Sequence, residues 1–124
     1  MVAAKRLICP PAALLEAGMG VRFDVQHQGQ PAAAFVVRWQ GQPRAYLNRC
    51  GHIPVELDYQ AGQFFDWNNE YLICATHGAL YDPASGVCLG GRCNGVGLIP
   101  LTVIEEPEGI FLLEDADTDS KDTP

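Results

Sequence analysis

The chain has 124 residues, 48% of them hydrophobic, a mean hydropathy near zero and a net charge of −7. That is the size of one ordinary domain with enough apolar side chains to form a core. It excludes a nucleic-acid binder built on Lys/Arg clusters, and no apolar run approaches the ~20 residues of a membrane-spanning helix.

Lys5-Arg6 before Leu7-Ile8-Cys9 briefly imitates a secretion signal. Pro10-Pro11 interrupts the apolar stretch, Glu16 arrives before a small-residue cleavage site, and Ile8 is too bulky to precede a lipid-bearing cysteine. The start therefore reads as mature protein and the location as cytoplasmic. Residues 11–17 read as a short helix, with Pro11 near its start and Gly18 as its stop. Val21, Phe23 and Val25 alternate with Arg22, Asp24 and Gln26, the two-residue period of a half-buried strand. Residues 33–40 form a second strand, Gly41-Gln42-Pro43 a turn, and residues 44–47 a third strand. Residues 64–65 and 70–73 read as a hairpin around Asp66-Trp67-Asn68-Asn69. Residues 98–104 and 110–113 complete the pattern, joined by a turn over 105–109. Many short strands with Gly/Pro turns predict an all-β fold, an antiparallel sandwich or barrel, in one domain over residues 1–113. From Glu114 to Pro124 there are five acids and one Lys, so the tail carries −4 and the rest of the chain −3. This segment is too polar to fold and reads as a disordered, solubilising tail.

Two short clusters carry the chemistry: Cys50-Gly51-His52 and Cys74-Ala75-Thr76-His77. Each offers one thiolate and one imidazole, and the 21 residues between them allow two loops to meet at one point. Sulfur and nitrogen donors suit zinc or an iron–sulfur centre, whereas hard cations want carboxylates. A zinc finger commonly separates its Cys pair from its His pair. One of each per loop is what a binuclear centre needs if both loops must reach both metals.

The clusters and their surroundings resemble the Rieske family, in which two Cys hold one iron of a 2Fe–2S cluster and two His hold the other. The likeness runs from Leu47-Asn48-Arg49, through both loops, to the sequel His77-Gly78-Ala79-Leu80-Tyr81-Asp82-Pro83-Ala84-Ser85-Gly86. It ends at Leu98-Ile99-Pro100-Leu101, like the strand that returns to a base domain. The resemblance implies a base sandwich with an inserted cluster-binding subdomain over about 47–101. It makes Cys50 and Cys74 ligands of one iron, His52 and His77 ligands of the other, and Tyr81 a candidate donor to a cysteine sulfur. Neutral imidazoles in place of two thiolates leave the oxidised centre uncharged, which raises the potential to roughly −150 to +300 mV across the class. High-potential members carry a disulfide whose cysteines would fall at Val55 and Thr76, and a serine that would fall at Ala79. Their absence here implies a low potential, as in Rieske ferredoxins.

The implied function is one-electron transfer by a single cluster per chain, between a reductase donor and an oxygenase or reductase acceptor, rather than stand-alone catalysis. The chain is expected to be monomeric. A self-contained oxygenase needs a second domain with a two-His-one-carboxylate iron site, and beyond the cluster ligands only His27 remains. The small Rieske subunit of a nitrite-reductase-type complex is an alternative, and a zinc-stapled binding module another. Cys9, Cys88 and Cys93 lie outside the ligand pattern and read as free thiols, although Cys88 and Cys93 flank a short loop. Gly90-Gly91-Arg92 stands where many relatives carry a shielding Gly-Pro loop. His27 reads as an exposed turn residue, and Trp39 and Trp67 as packing residues.

Overall fold

The computed structural model describes residues 4–49, 56–58, 60–75, 78–91 and 95–114, whose strands form three antiparallel sheets. In chain order the strands are β1 (Ala4–Cys9), β2 (Val21–His27), β3 (Gln30–Trp39), β4 (Gln42–Leu47), β5 (Leu72–Ile73), β6 (Leu80–Tyr81), β7 (Cys88–Gly90), β8 (Pro100–Leu101), β9 (Val103–Glu106) and β10 (Gly109–Glu114). Two sheets, β2-β3-β4-β8 and β1-β10-β9, make the base, and β5-β6-β7 makes the third.

Two-residue loops set the register of the first sheet. Gln28-Gly29 and Gln40-Gly41 both have positive φ at each position, the type I′ geometry whose twist matches paired strands. The expected turn at 41–43 is therefore one residue earlier, and Pro43 already lies in β4. Glu16 holds the second loop by accepting from the amides of Gln40 (2.6 Å) and Gly41 (2.9 Å).

β3 is buried on both faces, since Ala34, Phe35, Val36 and Val37 are all fully inaccessible. By strand alternation Ala34 and Val36 face the other base sheet, where they pack with Ala45, Leu47, Ile110 and Leu112. Phe35 and Val37 face the opposite way, into a core shared with Leu57, Phe64, Leu72, Cys74, Ala79 and Tyr81. Phe35 stacks on Phe64 with ring centroids 4.0 Å apart. One strand thus welds the base to the segment that carries the second ligand loop.

The structure departs from or sharpens the sequence reading in several places. Residues 11–17 are not a helix: a single 3-10 turn, Pro11–Ala13, is followed by Leu14 in extended conformation. Leu14 is buried in the base core, and Glu16 bridges to Arg38 in strand fashion, so core packing overrides a weak local preference. The signal-like residues 4–9 are β1, an edge strand paired with β10. The run 98–104 is broken at Thr102, where the chain passes from β8, paired with β4, to β9, paired with β10. Glu114, expected in the tail, ends β10 opposite Ala4; residues 115–124 lie outside the described residues. Among the described residues no helix is long and apolar enough to cross a membrane.

Candidate iron–sulfur centre

Of the four expected ligands, Cys74 is described; Cys50, His52 and His77 lie outside the described residues. The described residues show how each loop begins and ends. β5 delivers Cys74 into a tight reversal: the Cys74 amide donates to Ala79 O at 2.9 Å, and the Gly78 amide donates to Cys74 O at 2.7 Å. Gly78 has φ +73°, the left-handed conformation the turn requires. The Cys74 side chain is inaccessible, within the core that holds Leu57, Phe64, Leu72 and Tyr81.

The first loop leaves β4 at Leu47 and is closed by Asn48. Its side-chain Oδ1 accepts from the Leu57 amide at 2.8 Å, and its Nδ2 donates to Asp58 Oδ1 at 2.9 Å. Asp58 Oδ2 accepts from the Gly62 amide at 2.9 Å and lies 3.6 Å from Arg22 Nε. Both polar residues are buried, so each bond is made where an unpaired group would be costly. Sequence reading passed over Asn48 and Asp58 as site-shaping residues. The available signal was an amide-bearing side chain directly after the apolar end of β4 and two residues before Cys50.

The two loops touch through the Ala75 amide, which donates to Leu57 O at 3.0 Å. A third segment covers the second loop from above. A Cβ at Gly91, where φ is +83°, would stand 2.9 Å from both Ala79 Cα and Gly78 O, so this approach needs glycine. Arg92, Cys93, Val55 and Thr76 lie outside the described residues.

The reading of Cys88 as a free thiol is corrected: Cys88 is disulfide-bonded. It is half-buried against the core that holds Cys74 and Ala79 of the second loop. Cys9 is a free buried thiol whose pKa burial pushes up.

Tyr81 is fully buried and sits between Leu72 and Cys88 in the ladder. Beyond it, Asp82 Oδ1 accepts from the Ala84 amide at 2.9 Å and Asp82 O from the Gly86 amide at 2.7 Å, making the Asp-Pro-Ala-Ser-Gly turn. Tyr46 of β4 donates its hydroxyl to Pro83 O at 2.7 Å, and burial pushes its pKa up to about 12. His27 closes β2 at the hairpin loop, on an element separate from both ligand loops. Trp39 packs on Phe65 with centroids 5.8 Å apart. Trp67, expected to pack, is wholly exposed, because Asp66 and Asn69 hold its turn without it.

The donor set fits a soft-metal centre. A thiol in this apolar surround is a poor place for an uncompensated charge, and an iron-bound thiolate has that charge neutralised. Residues 6–103 match the Rieske [2Fe-2S] domain family. The chain belongs to the Rieske family. A 2Fe–2S cluster is what that family's domain carries, and Cys74 at the base of a pinned loop suits it.

Solved structures share the fold at low identity. The ferredoxin of carbazole 1,9a-dioxygenase from Nocardioides aromaticivorans IC177 superposes with a TM-score of 0.70 at 20% identity, over 93% of this Rieske chain and 100% of that one. A Sphingomonas yanoikuyae B1 ferredoxin gives 0.65 at 23%, over 90% and 99%. The terminal oxygenase of the Nocardioides system gives 0.67 at 16%, over 92% of this chain and 31% of that one. No curated protein matches the chain in sequence.

Proposed function

We propose that this Rieske protein is a one-electron carrier, holding one 2Fe–2S cluster per chain through Cys50 and Cys74 on one iron and His52 and His77 on the other. The cluster supplies reversible one-electron chemistry at a potential raised by the imidazoles. The chain supplies the frame. Asn48 sets the span of the first loop, the Cys74–Ala79 reversal sets the second, and the Ala75–Leu57 hydrogen bond joins them. That junction is the observation that carries the reading, since two loops ligating one cluster must be held side by side.

Exchange partners are a reductase that donates and an oxygenase or reductase that accepts. The fold similarity to two ferredoxins over nearly their whole length supports a carrier rather than a catalyst, as does a solved complex of reduced oxygenase and oxidized ferredoxin whose ferredoxin chain shares this fold. In the test, anaerobically prepared protein contains about two irons and two sulfides per chain and shows a rhombic EPR signal on reduction. Cys74→Ser and His77→Ala lose most of that iron. A colourless protein holding one divalent ion, or full cluster content in either variant, overturns the assignment.

A further inference from the structure

A groove of about 570 Å3 opens beside the second ligand loop, with Met19, Gly62, Phe65, Trp67, Ile73 and Ala75 among its walls. Ala75 directly follows Cys74, so the groove runs up to the loop that bears a ligand. Large apolar side chains stand exposed on it: Trp67 is 100% exposed and Met19 53%, with Leu15, 70% exposed, next to Gly18 of the lining. Tryptophan presents a large apolar surface that gains most when a partner covers it.

The turn does not need this side chain. Asp66 Oδ1 accepts from the amides of Glu70 (3.0 Å) and Tyr71 (3.3 Å), and Asn69 reaches Ala17 O at 2.8 Å. The indole is carried outward on a turn that other residues already hold, which keeps the ordering cost of binding low.

Charge indicates what covers it. From Gly51 to Gly91 the chain has five acids, Glu56, Asp58, Asp66, Glu70 and Asp82, and no Lys or Arg. Arg49 and Arg92 stand just outside that stretch. Arg22 engages Glu56 and Asp58, and Asp82 accepts from the Ala84 amide in its own turn, away from the groove lining, which leaves Asp66 in the groove wall and Glu70 close to it in the chain. A second copy would set acid against acid. We propose that the groove is the docking site of the redox partner, occupied by an apolar projection ringed by Lys or Arg, with Trp67 as its anchor. This rests on the electron-carrier reading.

The test uses mitochondrial cytochrome c, a lysine-rich one-electron acceptor, as the basic probe. The intact protein binds it saturably at low ionic strength and loses affinity as salt rises. Trp67→Ala weakens binding by about tenfold or more, and Glu70→Lys weakens it and flattens the salt dependence. Glu108→Lys, the same charge change on the β9–β10 turn, leaves it unaltered. Stopped-flow oxidation of reduced protein by cytochrome c slows in Trp67→Ala, while oxidation by ferricyanide does not. Unchanged binding in Trp67→Ala, equal losses in Glu70→Lys and Glu108→Lys, no binding by the intact protein, or a Trp67-dependent dimer in sedimentation overturns the proposal. Binding without electron transfer sinks the carrier reading and leaves the groove standing.

Discussion

Asp58 joins three parts of the chain with one carboxylate: Asn48 at the mouth of the first loop, Gly62 in the following turn, and Arg22 on β2. Asp58→Ala strands a buried amide NH2 and a buried backbone N–H, a loss of about 2–4 kcal/mol. Urea denaturation should show the midpoint falling accordingly, and cluster absorbance should bleach faster than in the parent protein. Asp58→Asn keeps one acceptor and should lose less. An unchanged midpoint in Asp58→Ala would remove the latch from the account. At the second loop, Ala79 has no hydroxyl that could donate to a cluster held there, so charge on the sulfurs of such a cluster would be less compensated. The expected midpoint potential lies in the lower part of the roughly −150 to +300 mV span of Rieske centres. Voltammetry giving a value well above about +100 mV would contradict that.

At the level of elements, β4 holds the turn after β6 through one bond, Tyr46 to Pro83. Gly86 belongs to the same contact, since a Cβ there would stand 2.8 Å from the Tyr46 ring. Tyr46→Phe removes the hydroxyl and leaves Pro83 O unpaired, costing about 1 kcal/mol. A pH effect accompanies it. The folded pKa of Tyr46 is raised to about 12 from an ordinary 10, so the neutral form is favoured by folding. That contribution is intact below pH 10, falls as pH rises from 10 towards 12, and is absent in Tyr46→Phe. Thermal melts from pH 8 to 11 should therefore converge for the two proteins, and a constant gap would refute the linkage.

β2 and β10 were legible because their burial follows the period of two, and β3 because its apolar run, buried on both faces, is long. The short strands β6 and β7 were not, since two or three residues carry no period. Their pairing depends on partners elsewhere in the chain. The helix expected over 11–17 failed where Leu14 found a place in the core. At the site, ligand spacing pointed to Cys74, while Asn48 and Asp58 emerged only with their buried partners.

Across the whole molecule, charge is divided. Lys5, Arg6, Arg22, Arg38 and Arg44 all lie on the base strands, whereas the stretch carrying the second ligand loop has acids alone. Within the base, Arg38 grips Glu105 of β9 with two nitrogens at 2.8 and 2.9 Å and also donates to Leu14 O and Pro11 O. Arg38 holds the Glu105 carboxyl below its ordinary range, so this strap keeps its charge through mild acid. Cations and acids pair within the scaffold, while the acidic 51–91 stretch has Arg49 and Arg92 just outside its two ends.

The chain departs from β4 and returns to it at almost the same point: the Leu47 amide donates to Ile99 O at 2.9 Å, and Tyr46 lies opposite Pro100. Everything between those bonds begins and ends on one doorstep. Lengthening or shortening that excursion changes the closure entropy only slowly, by about 0.6 kcal/mol per doubling. The insert's loops can therefore vary in length without re-registering the base strands, provided Phe64, Leu72 and Tyr81 still cover Phe35 and Val37.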